Sequence, residues 1–240
     1  MKSFIKILGS LILLTNLHCQ NIGDILNNYA DAIGGIEKWE KLESTSLYGK
    51  ATMQGMEINL IVHQKKPHFF YQEFNLLGNK IIQALEGEKG WYINPFEGRT
   101  EPQDLGPEQV RNLEENNMLD DKLLFYKKQG GNVELVGKSD VNGTPCYVIH
   151  LYDKNGNKTT YFLDQDLYIP LKTTYEFKGD NDVTNVSEQL FLDYQFVEGL
   201  LLPHKINQKV NGESILEVQF QKIEVNKLIG EDIFKKPQKK

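Results

Sequence analysis

Asp153, Asn155 and Asn157 stand at alternate positions, as the first oxygen ligands of a calcium loop do. That chemistry also needs glycine at the sixth loop position and a bidentate glutamate at the twelfth, where this chain has Lys158 and Asp164. A hairpin turn accounts better for the segment. His63 and His68 flank Pro67, and neither has a cysteine or carboxylate beside it at zinc-ligand spacing. His150 shares a strand face with Tyr152, opposite Ile149, which predicts solvent exposure. Cys146 lies in the strand-like run CYVIHLY, where a small buried hydrophobe is expected rather than a nucleophile. Glu101, Asp104, Glu108, Glu114, Glu115, Asp120 and Asp121 form an acidic cluster. It reads as a solvated helix face, with a patch that guides a basic partner as the alternative. The sequence contains no Gly-x-Ser-x-Gly elbow and no phosphate-cradling glycine loop. The expectation is a protein that is not an enzyme and takes no metal or cofactor.

The elements around these residues change period along the chain. Ile22, Ile25, Leu26, Tyr29 and Ile33 recur at spacings of three and four, which predicts a helix ended by Gly34-Gly35. Ile36, Trp39 and Leu42 suggest a second short helical turn. From Ser44 the period becomes two, with strands predicted to residue 53, from Met56 through Val62 until Lys65-Lys66-Pro67 breaks the run, and at 68–74, 80–85 and 90–94. Residues 95–131 interrupt the alternation. Gly106-Pro107 marks a helix start there, and Val110, Leu113, Leu123 and Leu124 form a narrow apolar stripe, the candidate lid. Strands resume near 132–139, 144–153, 157–164, 168–178, 186–197, 201–210 and 213–225. They are separated by turn dipeptides such as Asn142-Gly143, Glu198-Gly199 and Asn211-Gly212. Strands adjacent in sequence should pair antiparallel.

One face of these strands is apolar. Met56, Ile58 and Leu60 share a side, as do Tyr147, Ile149 and Leu151, Tyr175 and Phe177, and Leu190, Leu192, Tyr194 and Phe196. So wide a sheet must bury that face. The helices available to cover it are small, which predicts an open antiparallel β half-barrel, a mainly β (α+β) fold curled around an N-terminal helix and a short helical lid. Trp91 and Tyr161 are expected to line the hollow with these residues. Ordinary core packing is the alternative for each of them.

Composition limits the partners. The chain has 240 residues, 40% of them hydrophobic, a net charge of −6 and a pI near 5.5, with no basic stripe, so nucleic acid is not an expected partner. Arg99 and Arg111 are its only arginines. Lys2 and Lys6 precede the apolar run Ile7–Leu14, which is shorter than the roughly 20 residues that span a bilayer. Residues 1–19 read as a signal peptide and 20–240 as a single domain. Cys19 is either the last residue removed or a lipidated first residue that anchors the chain in the envelope.

Several stretches, in their order and spacing, resemble the LolA-like outer membrane lipoprotein-sorting proteins. They are Tyr29–Gly35 (YADAIGG), Met53–Pro67 (MQGMEINLIVHQKKP), Asn79–Gly98 (NKIIQALEGEKGWYINPFEG), Glu134–Tyr147 (ELVGKSDVNGTPCY) and Tyr168–Lys172 (YIPLK). The resemblance runs from Asp24 to Pro237. It implies an incomplete barrel with helices as a lid over a hydrophobic cavity. It implies a periplasmic, monomeric carrier of lipoprotein acyl chains or other lipids that meets inner- and outer-membrane sorting components. Family carriers hold the lid with an arginine on an early strand. This chain has none before Arg99, so no latch residue carries over. A non-transporting envelope sensor or protein-interaction module with the same fold is the competing expectation.

Overall fold

The computed structural model describes residues 21–115, 118–178 and 183–238. The predicted leader and Cys19, with its two alternative fates, lie outside the described residues. The first helix, α1 (Ile22–Ala32), is capped by Asn21, whose side chain accepts from the Gly23 N–H at 3.0 Å. Ile25, Tyr29 and Ile33 are buried along one of its faces. The helix stops where Gly34 and Gly35 take φ of +113° and +92°. A Cβ on Gly34 would lie 2.2 Å from the Gly199 carbonyl oxygen, so the helix end packs directly on the backbone of a sheet turn. In α2 (Ile36–Glu40) the Trp39 indole N–H donates to the Ile33 carbonyl at 3.1 Å.

The chain then forms β1 (Ser44–Met53), β2 (Met56–Lys65), β3 (Phe69–Leu76), β4 (Asn79–Glu86), β5 (Lys89–Asn94) and β6 (Arg99–Asp104). After α3 (Pro107–Glu115) come β7 (Asn132–Val141), β8 (Thr144–Tyr152), β9 (Lys158–Asp164), β10 (Pro170–Lys178), β11 (Thr184–Val197), β12 (Leu200–Val210) and β13 (Glu213–Val225). Among the described residues these thirteen strands make one antiparallel sheet, ordered β6-β5-β4-β3-β2-β1-β13-β12-β11-β10-β9-β8-β7. It is two meanders joined by the β1–β13 pair. The sheet is open, with β6 and β7 as its edges, and it is the mainly β, half-barrel architecture expected from the alternation.

The turns explain the registers. Gln54-Gly55, Asn142-Gly143, Glu198-Gly199 and Asn211-Gly212 all place both central residues at positive φ. That matches the right-handed twist of the flanking strands. At the seam, the β1–β13 register shifts between Tyr48 and Gly49. A Cβ on Gly49 would lie 2.2 Å from the Gln219 carbonyl oxygen, so this irregularity requires glycine.

Two elements differ from expectation. β6 lies inside the stretch read as irregular. Pro102 breaks the strand pattern, but at a free edge its missing N–H costs nothing. The predicted start of α3 is found, with Pro107 at the first position and the Gly106 N–H donating to the Gln109 side chain at 2.9 Å. Residues 118–130, which hold the lid residues Leu123 and Leu124, are not helix but bends and successive turns.

Candidate functional site: the covered inner face

Residues paired across strands point to the same face, so the registers sort the sheet into two surfaces. On β2, Ile58, Leu60 and Val62 sit opposite Ala51, Gly49 and Leu47 of β1. The same row continues to Val218, Phe220 and Ile223 of β13. On the other arm, Tyr147, Ile149 and Leu151 of β8 pair with Leu163, Tyr161 and Thr159 of β9. This apolar inner face carries the core of the protein.

The cover comes from separate parts of the chain. α1 contributes Ile25, Tyr29 and Ile33, and α3 contributes Leu113. The 118–130 segment contributes Leu119, Leu123 and Phe125 as buried residues. Val110 and Leu124 are half-buried and pack on the same cluster. All four lid residues read from the sequence therefore lie against the inner face.

A polar pair links two parts of this cover. The Tyr29 hydroxyl of α1 donates to Asp121 Oδ2 at 2.6 Å, and the Leu124 N–H donates to Asp121 Oδ1 at 2.6 Å. Burial pushes the Asp121 carboxyl up from its ordinary value, although the hydrogen bonds from Tyr29 and the 123–124 backbone pull the other way. Burial, and secondarily the Asp121 charge, raises the hydroxyls of Tyr29, Tyr161 and Tyr194. Tyr194 donates to the Pro170 carbonyl at 2.7 Å. Gln64 of β2, also fully buried, accepts from the Met118 N–H at 3.2 Å and from Thr45 Oγ1 at 3.1 Å. Lys66 reaches Asp120 at 3.6 Å across the edge of the cover. The acidic run reads as a solvated face, but the structure leaves Asp121 half-buried and bonded to Tyr29 and the Leu124 N–H. Gln64 and Tyr29 were not singled out, and no local signal marks them, since both occupy ordinary core-facing positions of their elements.

Inner-face and cover residues form one buried apolar cluster. Near the cover, a partly open recess of about 180 Å³ lies among Phe70, Leu85, Leu113, Asp120 and Lys122. The predicted cavity residues divide. Ile58, Leu60, Tyr147, Ile149, Tyr161 and Tyr194 belong to the inner face or pack against its core. Tyr175 and Phe177 share the inner row of β10, with ring centroids 6.0 Å apart, but Phe177 is exposed near the sheet's end. Met56 is exposed in the β1–β2 turn.

Trp91 and Leu192 do not line the hollow. Trp91 belongs to the row of Ala84, Tyr71 and His63, the outer face of the sheet. It is 4% exposed because the C-terminal segment crosses over it: its indole N–H donates to the Phe234 carbonyl at 2.8 Å. Phe234 in turn lies against Phe69, with centroids 5.2 Å apart. Leu192 is 43% exposed. Asp193 takes φ of +52° beside it, which interrupts the pleat and breaks the alternation assumed from residue 190 to 196.

The other candidate chemistry resolves locally. Asp153 accepts from the backbone N–H groups of Asn155 and Asn157 at 2.8 Å each, a turn cap. Cys146 is buried. His63 sits on the outer face, with Nδ1 2.8 Å from Ser46 Oγ and its ring between Tyr48 and Tyr71. His150 is half-buried beside Tyr152. Among the described residues no group of three or more His, Cys, Asp or Glu side chains is placed to hold a metal. No helix among them is long and apolar enough to cross a membrane.

No protein-family model matches the sequence, and no curated protein does. Solved structures do match in fold. A DUF1329 family protein from Desulfovibrio piger superposes with a TM-score of 0.58 at 12% identity, covering 89% of this chain and 97% of that one. A candidate outer membrane lipoprotein-sorting protein domain from Vibrio parahaemolyticus gives 0.56 at 13% identity, covering 88% and 94%. A LolA superfamily protein from Nitrosomonas europaea gives 0.54 at 13% identity, covering 89% and 97%. The chain has the LolA-like fold.

Proposed function

We propose that this protein binds the acyl chains of lipids or lipidated proteins on the inner face of its half-barrel, and that α1 and residues 118–130 are the cover that yields to them. The observation that carries this reading is the construction of the core. A wide apolar face is closed not by more sheet but by separate segments, pinned at its centre by the Tyr29–Asp121 hydrogen bond. Ile58, Leu60, Tyr147, Ile149, Tyr161 and Tyr194 are the surface offered when the cover moves. An acyl chain needs only apolar area there, each buried methylene contributing about 0.8 kcal/mol. The LolA-like fold supports the same reading, in which the protein works as a monomer in the periplasm between inner- and outer-membrane sorting components. This reading requires no catalytic residue and no cofactor.

The packed interior favours a second reading. A recess of about 180 Å³ is smaller than the roughly 300–1,000 Å³ of ordinary ligand pockets. A non-transporting interaction module would keep its core closed in this way. Titration with a fluorescent fatty acid separates the two, together with native mass spectrometry and lipid extraction of the purified protein. Saturable uptake and copurifying acyl lipid are expected. Absence of both would leave the interaction module as the account.

A further inference from the structure

Five of the large apolar side chains left exposed lie on neighbouring turns at one end of the sheet, while Leu167, Phe196 and Leu228 are exposed at the other. The β1–β2, β3–β4, β5–β6 and β12–β13 turns stand side by side in the strand order, all at the same end. They present Met53 and Met56, then Leu77, Phe96 and Ile215, between 39% and 85% exposed. On the same strands, β1 to β6, the turns at the opposite end are polar: Lys66-Pro67-His68 between β2 and β3, and Gly87-Glu88 between β4 and β5. Adjacent turns on one rim are two strand spacings apart, about 9.5 Å, so the four span about 28 Å.

Leu77 is the clearest member. It is 85% exposed and holds φ of +53° at the first position of a two-residue turn. The same position in other turns is taken by Gln54, Asn142, Glu198 and Asn211. A leucine there is disfavoured both by its backbone conformation and by water. Folding supplies no reason for it.

We propose that this rim docks on a phospholipid surface. Lys50, Lys80 and Arg99 each stand three residues from Met53, Leu77 and Phe96. Lys50 and Lys80 also pair with Glu57 and Glu73, so local charge is close to balanced. Separate apolar tips in one row, three of the four with a cation set behind, match a bilayer interface. The tips reach the acyl boundary while the cations stay at the level of the phosphates. A protein partner calls instead for a continuous contact core depleted of charge, whereas these tips stand about 9.5 Å apart with charged residues between them. The docking goes beyond acyl binding and does not require it.

The test uses the full chain and vesicles of phosphatidylethanolamine and phosphatidylglycerol with brominated acyl chains. Leu77→Trp and Phe96→Trp should be quenched by the bromine, and Phe196→Trp, exposed at the opposite end, should not. Leu77→Asp combined with Phe96→Asp should weaken co-sedimentation about tenfold, and Phe196→Asp should not weaken it. All variants share the apolar stretch Ile7–Leu14, so it cannot produce these differences. No quenching at positions 77 and 96, or equal quenching at 196, overturns the proposal. Fatty-acid titration of the double aspartate variant keeps the two ideas apart. Retained uptake with lost co-sedimentation supports docking as a separate property, whereas equal loss of both in a folded variant overturns it.

Discussion

The Tyr29 hydroxyl and the Asp121 carboxylate, 92 residues apart in sequence, meet at 2.6 Å in a half-buried contact between the N-terminal helix and the rest of the cover. Tyr29 belongs to the N-terminal helix and Asp121 to the turns that cover the sheet. Each satisfies a polar atom that would otherwise be buried without a partner.

Tyr29→Phe removes the donor and leaves a buried carboxylate one hydrogen bond short. The expected cost is about 1–3 kcal/mol in denaturant unfolding. Fatty-acid uptake should become faster, because the cover loses its central pin. Uptake unchanged in rate, with stability lost, would mean that this pair serves folding alone.

Acidification should favour the folded state through Asp121. Burial raises its folded pKa above the unfolded value. The native state therefore holds more protons than the unfolded chain between those two values. The group's contribution to stability is largest below the unfolded pKa and falls as pH rises through the folded one. His63 acts in the opposite sense, since burial lowers its pKa and disfavours its charged form. Subtracting the pH–stability curve of Asp121→Asn from that of the wild type isolates the carboxyl. The difference should rise toward acid pH; a flat difference contradicts it.

Gln64→Leu should loosen the cover without touching α1. It removes the acceptor for the Met118 N–H and for Thr45 Oγ1. Amide hydrogen exchange over residues 118–130 is expected to accelerate, with a loss of about 1–3 kcal/mol in global stability. Unchanged exchange there would show that apolar packing alone holds the segment.

Phe234→Ala should damage the outer face and spare the inner one. Emptying a buried phenylalanine site costs about 3–5 kcal/mol. The Trp91 indole beneath it should become more accessible to an aqueous quencher. Fatty-acid affinity of the protein that remains folded should not change. A parallel loss of affinity would mean that the two faces are coupled through the sheet.

Much of this molecule is legible along the chain. The hairpins follow from local chemistry: Asn211-Gly212 and its counterparts supply two residues at positive φ, and the alternation between them sets strand length. Asn21 and Gly34-Gly35 bound the first helix in the same local way. β6 escaped because Pro102 argues against a strand except at an edge, and sequence does not say which strand is the edge. The division of site residues was legible only where alternation stayed regular, as at Ile58 and Leu60. It failed at Leu192, where Asp193 breaks the pleat.

The sequence by itself determined the rhythm of strands and turns and the existence of an apolar face, because both depend on residues within a few positions of one another. The tertiary structure alone decided what covers each face. Trp91 is buried by Phe234, 143 residues away, on the side opposite the one its hydrophobicity suggested. Asp121 is drawn from an acidic run into a half-buried bond with Tyr29. Such burial depends on distant segments competing for the same surface, and no local pattern of residues encodes the winner.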